Sequence, residues 1–160
     1  MSENASGADN QQERLLMQKL TPDYILGLID GEGYFSVIID VRQYENYKTR
    51  EVKLVFGISL KESDGEEMLE SLKKYFNCGT MRLRIDKRPR FSNQWEYQVR
   101  KQEDIFNVIV PFFEQYKLKF KSKRNDFQIF LQITELVKQK KHLTEKGFRQ
   151  ILKLRKLMHL

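Results

Sequence analysis

Apolar and polar residues alternate along four segments of the chain. In FSVIIDVR, residues 35–42, Phe35 and Val37 share one face of an extended backbone, while Ser36 and Arg42 share the other. The same alternation runs through three further segments, EVKLVFGISL (51–60), MRLRID (81–86) and QWEYQVRK (94–101). Such alternation is typical of strands that bury one face, so we predict an antiparallel sheet of four strands.

A helix is predicted over residues 21–32, TPDYILGLIDGE. Thr21 can cap its amino end, Pro22 suits the first helical position, and Asp23 complements the positive end of the helix dipole. We expect Gly33 to end the helix, because glycine readily adopts the left-handed conformation that stops one.

Apolar residues recur at helical spacing in four more segments, residues 64–76, 105–116, 121–140 and 144–157. Pro111 is expected to kink or interrupt the second of these segments, because proline lacks a backbone N–H. Together with the strands, the helices give an α+β fold in the order αββαββα, followed by C-terminal helices.

The length of 160 residues suits one domain with a single core. The chain starts with a polar stretch that lacks periodicity, and residues 1–19 are predicted to be a disordered leader to a single domain of residues 20–160. A single cysteine, Cys78, excludes an intrachain disulfide and a cysteine zinc site. His142 and His159 have no sequence partners that would indicate a zinc site or a catalytic base. Any metal is therefore expected to be held by oxygen.

The chain is basic, with 29 lysines and arginines against 22 acidic residues and a net charge of +7. The polar face of the predicted sheet is basic as well, and its charged members include Arg42, Lys53, Arg82, Arg84 and Arg100. An ordinary solvated sheet face could look similar, but the excess of positive charge favours a sheet that reads a DNA groove. No apolar run reaches the roughly 20 residues that span a bilayer, so no membrane partner is expected.

The nine residues ILGLIDGEG, Ile25–Gly33, resemble the LAGLIDADG motif of homing endonucleases. Later segments are similar to members of that family with a single copy of the motif, namely GISLKESD, LKKYFNCG, IVPFFEQYKLKFKSKRNDF and HLTEKGFRQIL. The likeness extends from about Leu20 to Leu160. It implies a site-specific double-strand DNA endonuclease, encoded in an intron or intein, that cuts a long and nearly palindromic site.

Single-motif members of this family form homodimers in which the two motif helices pack side by side. Here Gly27 and Gly31 are four positions apart on one helix face, where they would let two backbones approach closely. Glycine otherwise costs about 1 kcal/mol relative to alanine in a helix interior. The expected dimer interface consists of Tyr24, Gly27, Leu28 and Gly31.

The resemblance assigns the metal site and the catalytic acid to the end of the motif helix. Glu32 would be the metal-binding acid, with the Gly31 carbonyl as a further ligand, and Mg²⁺ as the metal, or another divalent cation such as Mn²⁺. We expect Glu32 to continue a helical stripe with Ile25, Leu28 and Ile29, which would bring the two copies of Glu32 together at the base of the interface. Asp30 is expected to have a structural role, because it hydrogen-bonds nearby backbone in the family.

A basic run, KLKFKSKR at residues 117–124, would supply the cation of the active site. The match places the catalytic lysine at Lys121, with Lys123 as the second candidate. The family's glutamine near the nucleophilic water corresponds to Leu60, so that role is absent or filled elsewhere. The expected DNA contacts are Ser36, Ile38, Asp40, Arg42, Lys53, Arg82, Arg84, Glu96, Gln98, Arg100 and Lys123.

Two other functions use the same fold. One is an RNA-binding maturase that helps its intron to splice, with intron RNA as partner, and the other is a DNA-binding regulator that no longer cleaves. A regulator would usually have lost the acid at position 32, whereas Glu32 and Lys121 are both present. No residue excludes a maturase. Both a bacterial cytoplasm and an organelle are compatible with the sequence.

Overall fold

The structure of the chain is a computed structural model that describes residues 19–160, together with Gln11. The predicted leader, residues 1–19, lies almost entirely outside the described residues and stays a prediction. Eight helical elements and four strands follow from Pro22 onward in the described part of the chain. The helices are α1 (Pro22–Glu32), α2 (Glu62–Phe76), α3 (Gln102–Asp104), a π-helix (Ile105–Ile109), α4 (Val110–Gln115), α5 (Lys121–Lys138) and α6 (Glu145–Arg155), with a 3₁₀ turn (Lys141–Leu143) before the last.

The four predicted strands are confirmed and form one antiparallel sheet. They are β1 (Gly33–Gln43), β2 (Lys48–Lys61), β3 (Thr80–Arg84) and β4 (Gln94–Val99), in the spatial order β1-β2-β4-β3. The αββαββα order with C-terminal helices is therefore observed. The connection between β3 and β4 covers residues 85–93, so it is a longer loop than a tight hairpin.

Helix α1 begins as predicted, since the backbone N–H of Tyr24 donates to the Thr21 side chain at 3.3 Å. The predicted end of the helix at Glu32 is confirmed, with Gly33 as the residue that ends it, but the predicted left-handed conformation of Gly33 is wrong. Gly33 is extended, with φ −81° and ψ 164°, and it starts β1. Glycine is required there for space, because a Cβ would lie 2.6 Å from the Ile29 Cγ2 atom of the preceding helical turn.

The hydrophobic core lies between the apolar face of the sheet and the helices. Phe35 of β1 is fully buried, and its ring lies 5.2–5.5 Å from the rings of four other phenylalanines, Phe56, Phe113, Phe127 and Phe130. Aromatic pairs at such distances add to the gain from burial of their apolar area. The core thus fixes the start of β1, which directly follows the motif helix.

The interruption expected at Pro111 is confirmed. A π-helix occupies Ile105–Ile109, and Pro111, which has no N–H to donate to the preceding turn, is the second residue of α4. Ile105 and Ile109 are both fully buried. The irregular turn therefore keeps the apolar side chains of this segment in the core.

The C-terminal end contains an interaction that the sequence did not indicate. His159 does have a partner, because its backbone N–H donates to Asp126 at 2.7 Å and its Nδ1 lies 3.0 Å from the same carboxylate. This contact binds the C-terminal segment to α5. Within residues 19–160 and at Gln11, no helix has the length and apolar character needed to cross a membrane.

Candidate functional site

One face of helix α1 is open along its length. Tyr24 is 51% exposed, Gly27 and Gly31 are exposed, and Leu28 is half-buried. A Cβ added at either glycine would meet no atom within 4 Å. Packing within this chain therefore does not require a glycine at either position, whereas it does at Gly33. The expected dimer interface thus lies on one free helix face, and its use in a dimer stays a prediction.

The opposite face of α1 enters the core. Ile25 and Ile29 are fully buried, whereas Glu32 is exposed at the last helical position. The predicted stripe of Glu32 with Ile25, Leu28 and Ile29 is therefore wrong for Ile25 and Ile29. Glu32 instead continues the open face, since it follows Leu28 by four positions.

Asp30 has the structural role that was expected. It is 4% exposed, and its two carboxylate oxygens accept the backbone N–H groups of Lys119 at 2.8 Å and Phe120 at 3.1 Å. These are the residues immediately before α5, whose amino end has no side-chain cap of its own. Asp30 thus joins the end of the motif helix to the start of α5, and its negative charge suits the positive end of that helix.

The two candidate lysines differ in where their side chains lie. The Lys123 ammonium donates to the backbone carbonyl of Gly33, at the junction of α1 and β1. Lys121 is exposed in the first turn of α5 and makes no hydrogen bond or ion pair with any described residue. Of the two candidates, Lys123 is therefore the one that contacts the end of the motif helix, at Gly33, and the catalytic role of either lysine stays a prediction.

The end of α1 offers oxygen ligands for a metal. Glu32 has no hydrogen-bond or ion-pair partner among the described residues, and the last carbonyls of a helix, including that of Gly31, lack intrahelical partners. In the described part of the chain, no group of three or more histidine, cysteine, aspartate or glutamate side chains could hold a metal ion. One chain supplies a single carboxylate here, so a hard divalent cation would complete its coordination with waters, with phosphate oxygens or with ligands from a second copy.

The polar face of the sheet holds the predicted contact residues of all four strands. On the β1–β2 hairpin, Asp40 accepts from Arg42 at 2.9 Å and lies 3.6 Å from the Lys53 ammonium. The hydrogen bond from Arg42 lowers the pKa of Asp40. Ser36 is half-buried and Ile38 is 38% exposed, with Ile38 directly opposite Lys53. These side chains form a charged, partly exposed surface.

Strands β3 and β4 carry the rest of this face. Arg82 and Arg84 are exposed, and Arg100 donates to the Gln98 side chain at 2.8 Å. Glu96 differs from the expectation, since it is 4% exposed and its carboxylate is occupied by Arg82 and the Tyr34 hydroxyl. This burial contradicts a direct DNA contact for Glu96, because both oxygens already bond neighbouring side chains of the sheet.

Tyr34 is the member of this face that the sequence analysis missed. Its ring lies across β2 above Gly57, where a Cβ would be 2.5 Å from the Tyr34 Cζ atom. Its hydroxyl donates to Glu96 at 2.9 Å and accepts from Gln98. Burial is the main cause that raises the pKa of Tyr34. A glycine inside a strand was the available signal, because it indicates that another group approaches closely.

The family model described as LAGLIDADG endonuclease matches residues 25–134 of the chain. Among curated proteins, "Probable intron-encoded endonuclease 2" of Neurospora crassa is 34% identical over 135 residues, which are 83% of this chain and 26% of the relative. "Homing endonuclease I-ApeII" of Aeropyrum pernix is 28% identical over 116 residues, 72% of this chain and 64% of the relative. The chain therefore spans about a quarter of the fungal protein.

Solved structures show the same fold. The homing endonuclease I-TnaI superimposes with a TM-score of 0.75 at 33% identity, covering 89% of this chain and 90% of that chain. I-SmaMI, bound to its uncleaved DNA target in the presence of calcium ions, matches with a TM-score of 0.72 at 32% identity. That match covers 86% of this chain but only 44% of I-SmaMI. The chain thus has the length of I-TnaI and about half the length of I-SmaMI.

Proposed function

Because the chain belongs to the LAGLIDADG endonuclease family, we propose that it is a site-specific double-strand DNA endonuclease of intron or intein homing. It would act as a homodimer on a long, nearly palindromic site, with half-sites on the order of one ~10 bp turn apart. The observation that carries this proposal is the open face of α1, which has two glycines without a steric role in the chain and ends at the exposed Glu32.

A second copy of the chain would complete the site. The match to about half of I-SmaMI agrees with this, since a second copy of the chain would supply a counterpart of the other half. Close packing of two α1 helices through Gly27 and Gly31 would place their carboxyl ends near the two-fold axis. The two copies of Glu32 would then lie near each other, where their like charges favour a bound cation.

Glu32 from both subunits, with the carbonyl of Gly31, would hold a divalent cation such as Mg²⁺ or Mn²⁺. When bound, such a cation makes a coordinated water nucleophilic and neutralises charge on the phosphate. The oxygen ligands on these two residues fit a hard cation of this kind. The small number of these oxygen ligands in one chain, a carboxylate and a carbonyl, also fits a site that two chains share.

Lys123 would supply a positive charge to the scissile phosphate. Its ammonium already lies at the Gly33 carbonyl, one residue beyond Glu32. Asp30 supports this placement, because it binds the backbone just before the helix that carries Lys123. A charge held in place before the substrate arrives stabilises a transition state without further reorganisation.

The basic face of the sheet would bind the DNA. The net charge of +7 favours a polyanion through the release of counterions from the phosphates. Arg82 and Arg84 lie two positions apart on β3 and so extend on the same side of the sheet. Side chains in this arrangement can follow successive base edges in a major groove.

The direct test is cleavage of the joined DNA that flanks the gene, from which the intervening sequence has been removed. We expect the wild-type protein to cut this junction on both strands when Mg²⁺ is present and to leave the interrupted allele uncut. Binding to the intron RNA is measured in parallel. Strong RNA binding without any junction cleavage would contradict the proposal and favour a maturase.

A further inference from the structure

Among the described residues, Glu96 is the most buried charged side chain on the polar face of the sheet, with 4% of its surface exposed. We propose that Glu96 is a positioning residue, which holds Arg82 in one orientation so that it reads a single guanine in each half of the DNA site. This inference rests on the proposed function, and it adds a specificity determinant for the bound DNA.

The geometry of the Arg82–Glu96 ion pair leaves one edge of the Arg82 guanidinium free. Both the Nε and the Nη2 atoms of Arg82 lie 2.6 Å from Oε2 of Glu96. The guanidinium therefore uses its inner edge for the carboxylate, while its outer edge, formed by Nη1 and Nη2, still has N–H donors. The Arg82 side chain is 61% exposed against 4% for Glu96, so that outer edge is accessible.

Two parallel N–H donors match the chemistry of guanine. In the major groove, guanine presents two acceptors, O6 and N7, and arginine binds them in a bidentate manner. Adenine offers one acceptor beside a donor at that edge, so it cannot satisfy the same pair of N–H groups. An arginine that can only present this edge will therefore prefer guanine.

Glu96 is itself held by Tyr34 of β1, which reaches it across β2 on the same face of the sheet. Its Oε1 accepts from the Tyr34 hydroxyl, and Gln98 donates to that same hydroxyl. The Tyr34 ring can reach β4 only because Gly57, which lies between them on β2, has no side chain. The carboxylate is thus anchored by a tyrosine 62 residues away in sequence, and it cannot follow Arg82 if the guanidinium moves.

The anchor lowers the entropic cost of recognition. A free arginine on a surface loses several rotatable bonds when it binds a base, whereas Arg82 is already ordered by its bonds to Glu96. Arg84 lies 3.7 Å from Oε1 and balances the remaining charge without a short hydrogen bond. Arg84 therefore keeps more freedom than Arg82, and base selectivity should be sharper at the position that Arg82 reads.

The test uses the intronless junction and a panel of its single-base variants, with binding measured for each duplex. For the wild type, we expect one position in each half-site to prefer guanine by about 5- to 150-fold. In Glu96→Gln, that preference should fall toward 1 while preferences elsewhere are retained. Tyr34→Phe, which removes one hydrogen bond to Glu96 and little volume, should reduce the same preference less.

Glu51→Gln is the matched control. Glu51 also forms an ion pair on the sheet, on the β1–β2 hairpin, where its carboxylate lies 3.3 Å from the Lys53 ammonium, but it does not contact Arg82. It should leave the guanine preference intact. An unchanged preference in both Glu96→Gln and Tyr34→Phe would overturn the inference, as would an equal loss of affinity for every duplex. Failure of the wild type to bind or cut any junction duplex would instead overturn the proposed function.

Discussion

The Lys123 ammonium donates to the Gly33 carbonyl, so a residue of the fifth α-helix is bonded to the first residue after the motif helix. The two positions are 90 residues apart in sequence. This contact brings a positive charge to the residue that follows Glu32. It also explains why Lys123, rather than Lys121, is the better candidate for the cation of the active site.

Lys123→Met should slow DNA cleavage strongly and leave DNA binding nearly intact. The substitution keeps the unbranched side chain but removes the charge that would stabilise the transition state, an effect that commonly exceeds tenfold for such groups. Lys121→Met is the control of equal charge and has a smaller expected effect, because Lys121 is exposed and has no bond to the motif helix. Single-turnover cleavage of the junction DNA gives both rates. Slower cleavage by Lys121→Met than by Lys123→Met would show that Lys121, and not Lys123, supplies the charge of the active site.

Gly27→Leu should break the dimer without unfolding the chain. A side chain at Gly27 has open space within the chain, but it would separate two helices that pack through this face. Gly27→Ala should even stabilise the isolated helix by about 0.5–1 kcal/mol. Analytical ultracentrifugation gives the assembly state, and thermal unfolding gives the stability.

Gly33→Ala provides the contrast to that experiment. Its Cβ would collide with Ile29 inside the chain, so it should lower the melting temperature whatever the assembly state. A wild-type protein that sediments as a monomer at micromolar concentration, both free and on DNA, would contradict the dimer.

The loop between β3 and β4 gives a pH-dependent prediction. Hydrogen bonds from the Arg88 side chain are the main cause that lowers the pKa of Asp86 from 3.8 to about 2. Because the pKa is depressed in the folded state, the Arg88–Asp86 contact stabilises the loop above pH 4, and this contribution is lost as the pH falls toward 2. Arg88→Met should return the pKa of Asp86 toward 3.8, as measured by NMR titration of its carboxyl carbon.

Arg90→Met is the matched control for the loop. Arg90 lies two residues further along and makes no hydrogen bond or ion pair with Asp86 in the described structure. It should therefore leave the pKa of Asp86 near 2. An ordinary pKa for Asp86 in the wild type would show that the loop does not keep the Arg88 contact in solution.

The sequence predicted the elements of the fold because their signals are local. Alternation at Phe35 and Val37 depends only on neighbouring residues, and so does the cap at Thr21. The conformation of Gly33 was predicted wrongly. A glycine can be required for a left-handed backbone or because a Cβ would have no room, and the sequence does not distinguish the two. Only the packing of Ile29 against the start of β1 shows which one applies.

The positions of the site's side chains depend on contacts between residues that are distant in sequence. Glu96 alternates with buried residues in the same way as an exposed position, and its burial follows from Tyr34 and Arg82 on other strands. The position of the Lys123 side chain likewise depends on how α5 lies against α1, which periodicity cannot give. Asp30 was assigned its structural role through the resemblance rather than through its neighbours in sequence.

The central claim is that Glu32 provides the metal-binding acid and that two copies of it form one active site. Glu32→Gln keeps the size of the side chain and removes the charge, so each substitution would affect the site twice by symmetry. DNA affinity should be retained, because it comes from the basic sheet and counterion release. Glu51→Gln, an exposed acid on the β1–β2 hairpin, is the matched control and should cut normally.

The measurement that tests this most directly is the rate of Mg²⁺-dependent cutting of the intronless junction by wild type and Glu32→Gln, at matched occupancy of the DNA. We predict that the variant binds as well as the wild type and cuts more slowly by orders of magnitude, since activation of the water and neutralisation of the phosphate are lost together. Equal cutting rates for the two proteins would contradict the account and place the active acid at another residue.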